Sequence, residues 1–198
     1  MTIKYFLAQI FKSVQNLVIM HKVFTPKDRI IPDGPLMFLA GPINGAPDWQ
    51  ERVIGTLLCE VPEIYIASPK MHLNLPQGVN PLTSNTKFQY TTDWERHYLA
   101  EASKKGAIMF WLPKQAYTMP VDSDTGFHKP YARDTRGELG EWRGRMISDP
   151  SIRLVIGGEE AFDGIDVIKR NFWAVKPDMP FYSTLEETCY AAIDMCRR

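Results

Sequence analysis

Glu138 stands in the stretch Thr135-Arg136-Gly137-Glu138-Leu139-Gly140-Glu141-Trp142, with a glycine directly before it and another two residues after. A carboxylate with so little bulk beside it can be approached closely by a ligand or by neighbouring backbone. Two chemistries suit such a group: nucleophilic attack on an electrophilic carbon, and proton transfer. A lone glutamate in the first turn of a helix is explained equally well by its attraction to the helix dipole, so its company decides. Further carboxylates are Asp93 and Glu95, on either side of Trp94, and Asp134. Arg133 and Arg136 bracket the approach to Glu138, Lys70 follows Ser68-Pro69, and Gly41-Pro42 closes an apolar run.

Other chemistries find less support. The four histidines are scattered without metal-ligand spacing, so no structural zinc or HExxH site is legible and no metal or other cofactor is expected. Neither a GxGxxG nor a GxxxxGK[ST] fingerprint occurs, which disfavours dinucleotide and P-loop sites. Cys59, Cys189 and Cys196 are odd in number and form no CxxC, as expected of core thiols in a reducing cytoplasm. Lys+Arg and Asp+Glu both number 23, so no global charge favours a nucleic-acid polymer or a membrane surface.

The elements that must position these groups can be read from hydrophobic patterning. With 198 residues and 44% apolar content, one domain with a full core is expected. Buried strands are expected at 36–40, 64–67, 107–112, 152–156 and 180–182; the third reads Ala-Ile-Met-Phe-Trp-Leu before Pro113. Between them fall helices opened by Pro47-Asp48, by Asp93, around Glu138, at Gly164, and by the capping box Ser183-x-x-Glu186. The alternation predicts an α/β domain over 36–198, a flavodoxin-like or Rossmann-like five-stranded parallel sheet with helices on both faces. Before it, 1–20 predicts an amphipathic helix, interrupted by Lys4, Gln9 and Lys12 and so unfit to span a membrane, and 25–35 a Pro-rich connector. Two long loops, 70–89 and 114–134, run to the carboxyl ends of the strands, where ligands bind in such sheets.

Phe38-Leu-Ala-Gly-Pro-Ile43 with Asp48-Trp49, Asp93-Trp94-Glu95 leading into Ala107–Pro113, and Arg136-Gly-Glu138-Leu-Gly140 together resemble the nucleoside 2-deoxyribosyltransferase-like superfamily, most closely its less characterised deoxyribosyltransferase-like branch. The resemblance covers most of 36–196. It implies that Glu138 is the nucleophile that cleaves an N-glycosidic bond, with Gly41 and Pro42 lining the sugar or base pocket. A second acid is implied on the helix before the third strand, where Asp93 and Glu95 are both available and Asp93 can alternatively cap that helix. The lead-in Tyr131-Ala-Arg133-Asp134-Thr135-Arg136 departs from the Asp-Gly-Thr turn of the well-studied transferases, which puts a base-binding role for Asp134 in doubt. The arginines there can bind a phosphate, hold Glu138 ionised, or form surface ion pairs. Lys70, Asp134 and Arg136 are thus candidates for substrate contact. Trp111 and Trp142 are candidates to stack on a base or to pack in the core, and Glu141 is expected to face elsewhere.

The expected activity is transfer or hydrolysis at the N-glycosidic bond of a small-molecule nucleoside or nucleotide by a retaining mechanism. The alternative is a nucleotide-binding or sensing module of the same fold without turnover. The resemblance also implies a homo-oligomer, at least a dimer.

Overall fold

Each side chain of Ala107–Leu112 is buried, because the strand is covered on both faces. The computed structural model describes residues 22–77 and 79–198; the amphipathic helix expected over 1–20 lies outside the described residues. Six strands are formed: β1 Val23–Phe24, β2 Leu36–Ala40, β3 Tyr65–Ala67, β4 Ala107–Leu112, β5 Leu154–Gly158 and β6 Phe181–Tyr182. Among the described residues five helices alternate with them: α1 Trp49–Glu60, α2 Thr91–Lys105, α3 Arg133–Ser148, α4 Ile165–Trp173 and α5 Leu185–Cys196.

The strands form a single sheet in the order β1-β3-β2-β4-β5-β6, and every pairing is parallel. Without β1 this is the doubly wound, flavodoxin-like order. Successive side chains of a strand point to opposite faces. Phe38, Ile108 and Phe110 accordingly pack with Trp94, Leu139 and Phe172 of α2, α3 and α4, while Met37, Leu39 and Met109 pack with Val53, Leu57 and Ile193 of α1 and α5.

The sheet has one strand more than expected. β1 is only two residues long, below the length at which periodicity is legible, and it is made by pairing: the Ile66 amide donates to the Lys22 carbonyl at 2.7 Å and the Ser68 amide to the Phe24 carbonyl at 3.0 Å. The connector after it is packed against α2. Trp94 Nε1 donates to the Asp28 carbonyl at 3.0 Å, and the Ile30 amide donates to the Tyr98 hydroxyl at 2.6 Å.

Several boundaries move. α2 starts at Thr91 after Tyr90, so Asp93 is a first-turn residue and not the cap. β5 runs on past the expected end at 156 through Gly157 and Gly158; a Cβ on Gly157 would lie 1.8 Å from Thr188 Oγ1, so α5 can cross the sheet only over a glycine. The capping box sits one residue later than expected, on Thr184 and Glu187. No helix among the described residues is long and apolar enough to cross a membrane.

Candidate active site

The chain leaves β2 toward β3 on one side and reaches β4 on the other, so a crevice opens where the carboxyl ends of β2 and β4 lie side by side. Gly41 makes the floor. Its φ is 145°, in the region that favours glycine, and a Cβ there would stand 2.3 Å from the Trp111 carbonyl oxygen at the end of β4. The next carbonyl, of Pro42, accepts from Trp49 Nε1 at 2.9 Å, which ties the floor to the start of α1.

Two helices form the walls. Thr92, Glu95, Arg96 and Leu99 line the cavity from α2, and Asp134, Glu138, Glu141 and Arg145 line it from α3. Spacings of three and four residues put each set on one helical face. The rest of the wall comes from the loop after β4, through Met119, Lys129 and Pro130. That loop is ordered: the Asp122 amide donates to the Phe127 carbonyl at 2.8 Å and the Lys129 amide to the Pro120 carbonyl at 3.0 Å. The Ala116 and Tyr117 amides tie it to the segment after β2 by donating to the Gly45 carbonyl, and the Tyr131 hydroxyl closes its two ends together by donating to the Pro113 carbonyl at 2.8 Å.

At the join of loop and helix, Ala132 adopts φ 56° and ψ 24°, a left-handed conformation unusual for a residue with a Cβ. It is buried and lines the cavity. Strain of this kind persists only where the surroundings over-determine it. Ala132 turns the chain sharply into α3, whose second turn brings Glu138 to the lining of the crevice. The crevice is open to solvent on one side and has a volume of about 680 Å³, within the usual range for small-molecule sites.

The electrostatics of this space are dominated by acids. Burial pushes the Glu138 carboxyl up to about 8, and the nearby charges of Glu95, Asp134 and Glu141 add to the effect. Glu95 is also raised, first by burial and then by Asp134. Glu138, with Glu95 among the charges that act on it, thus keeps its proton at neutral pH.

Of the other residues expected at the site, Gly41, Pro42 and Asp134 line the cavity, and Asp134 is paired with Arg133 at 3.2 Å. Asp93 does not line it and is exposed on α2, two residues from Glu95 and therefore on another side of the helix. Lys70 is also outside the lining; its ammonium bridges Asp48 and Glu51 at 2.6 Å each, pinning β3 to the start of α1, while its neighbour Pro69 does reach the cavity. Arg136 turns away from Glu138, lies over the Phe162 ring at 4.8 Å and donates to the Asp163 carbonyl at 2.7 Å. Trp142 lines the cavity while only 2% exposed, and Trp111 contributes its carbonyl behind Gly41.

Glu141 lines the cavity, contrary to the expectation that it faces elsewhere, because three residues after Glu138 is nearly one turn. Thr92, Arg96, Arg145, Asn44 and Lys129 are lining residues that the sequence reading does not single out. The first three share a helical face with Glu95 or Glu138, a signal present in the spacing; nothing in the sequence marks the other two. Among the described residues, no group of three or more His, Cys, Asp or Glu is placed to hold a metal ion.

No protein-family model matches the chain. A search of curated proteins likewise finds no match. The functional reading therefore stands on the cavity itself and on the motifs that line it.

Proposed function

We propose that the protein cleaves or transfers at the N-glycosidic bond of a nucleoside or nucleotide, with Glu138 as nucleophile and Glu95 as general acid and base. The observation that carries this reading is the pairing of Glu138 with Glu95 in one cavity, on facing helices above a backbone floor, with both carboxyls raised. A retaining displacement needs one carboxyl ionised to attack and one protonated to assist departure, so the proton that burial holds on Glu138 passes to Glu95 before the attack. The resemblance of Phe38–Ile43 and Arg136–Gly140 to the nucleoside 2-deoxyribosyltransferase-like superfamily agrees with the same assignment.

In the first step a Glu138 carboxylate oxygen bonds to C1′ of the sugar as the C1′–N bond breaks. The bonding pair leaves with the base, and Glu95 gives its proton to a ring nitrogen of that base. The product is a glycosyl ester on Glu138. In the second step Glu95, now ionised, takes a proton from water or from the N–H of an acceptor base. The activated oxygen or nitrogen then attacks C1′ and releases Glu138, so that two inversions give net retention.

Incubation with a panel of ribo- and deoxyribonucleosides and their 5′-monophosphates, followed by chromatography, tests the reading. Free base is expected with the wild type, and Glu138→Gln is expected to lower its rate of release by at least a thousandfold, on the order of losing a nucleophile. A wild type that releases no base from any member, or a variant with undiminished turnover, contradicts it.

A further inference from the structure

We propose that the cavity takes a nucleoside 5′-monophosphate in preference to a nucleoside, with the phosphate held between Arg96 and Lys129. This rests on the reading of Glu138 and Glu95 given above and names the substrate class for that site.

Most of the charges lining the cavity already have partners. The acids are Glu95, Asp134, Glu138 and Glu141, and the bases Arg96, Lys129, Arg133 and Arg145. Two ion pairs close within the α3 wall, Arg133 with Asp134 at 3.2 Å and Arg145 with Glu141 at 2.6 Å. Glu95 and Glu138 are the reacting pair. That leaves Arg96 and Lys129. Among the described residues no carboxylate is paired with Arg96, and the partner of Lys129, Asp122, stands at 3.8 Å, beyond hydrogen-bonding distance.

Both side chains are exposed, and an uncharged nucleoside would give neither a counter-charge. A phosphate monoester supplies that charge, together with acceptor oxygens suited to a guanidinium and an ammonium. The placement fits the reaction. Arg96 follows Glu95 directly on α2, so an anion beside it lies within one nucleoside length of the carboxyl pair. Thr92 lies one turn earlier on the same helical face and adds a hydroxyl donor to the same wall. Lys129 approaches from the loop side, held in place by the hydrogen bond of its amide to the Pro120 carbonyl. Two cations suit a single phosphate and fall short of the row a polymer requires, in keeping with a net charge of zero.

The test compares each nucleoside with its own 5′-monophosphate, using the intact wild-type protein. The monophosphate is expected to have the higher kcat/KM by on the order of a hundredfold, as two charge-assisted contacts provide. Arg96→Gln and Lys129→Gln are each expected to reduce that preference by about tenfold, through KM of the monophosphate and not through kcat, with partial recovery in Arg96→Lys. Equal kcat/KM for nucleoside and monophosphate overturns the proposal and leaves the glycosidic reading standing. If neither substrate releases base, the glycosidic reading fails, and calorimetric titration with ribose 5-phosphate decides the phosphate site separately. Binding to the wild type that weakens about tenfold in Arg96→Gln supports the site. No binding, or inorganic phosphate binding as tightly as the sugar phosphate, overturns it.

Discussion

At the scale of single residues, the two carboxyls on which the proposed chemistry rests are costly to keep in one crevice. Glu138 is pushed up to about 8, chiefly by burial, from an ordinary 4.5. A carboxyl raised in the folded state binds its proton more tightly there than in the unfolded chain. Its neutral form adds no penalty below pH 4.5, and stability is lost as the pH rises from there through about 8. Glu138→Gln removes the titration, so the variant is expected to be more stable than the wild type at pH 8 by on the order of 2 kcal/mol and to match it near pH 4. Urea denaturation at the two pH values measures the difference, and a constant gap would show that the carboxyl is not raised. The same proton governs turnover. Since the proposed attack needs one proton on the two carboxyls, kcat/KM is expected to fall about tenfold per pH unit once Glu138 loses the proton it holds at rest, near 8. A flat profile between pH 7 and 10 would remove Glu95 as the acid.

At the scale of elements, the site depends on how strand ends and helix starts meet. Gly41 is one of these points, because any side chain there must displace the Trp111 carbonyl while adopting φ 145°. Gly41→Ala is expected to cost about 3 kcal/mol in urea unfolding and to lower activity together with stability; an unchanged midpoint would mean that β2 and β4 separate easily. The elements also show what sequence patterning can reach. Leu36–Ala40 and Ala107–Leu112 are legible because continuous apolar runs closed by Gly-Pro or Pro have few other uses in a soluble chain. Val23–Phe24 is not, since two residues carry no period and the strand exists through its pairing with Ile66 and Ala67. The helix carrying Glu138 is legible, but its sharp entry through Ala132 is not, because nothing in an alanine announces a left-handed turn. Asp93 and Glu95 cannot be separated by type or position; the start of α2 at Thr91 and the packing of Trp94 inward separate them.

At the scale of the whole molecule, a parallel sheet wound in both directions produces a crevice by topology, and the candidate site residues gather there. Arg96 and Lys129 show the limit of reading along the chain. They are 33 positions apart, lie in no shared motif, and come together only because α2 and the loop after β4 border the same crevice. Glu138, by contrast, is legible from its glycines and its distance beyond β4, since the topology carries the segment after that strand to the ligand edge.

The central claim is that Glu138 forms a covalent bond to the sugar, and trapping that bond tests it most directly. A nucleoside 5′-monophosphate with fluorine at C2′ slows both displacements, the second more than the first when the base is a good leaving group. The glycosyl ester then accumulates. Mass spectrometry of the intact protein is expected to show one added sugar phosphate, and peptide mapping to place it on Glu138, with no addition in Glu138→Gln. Release of base from the unfluorinated substrate with inversion at C1′, or an adduct on any other residue, would contradict the account.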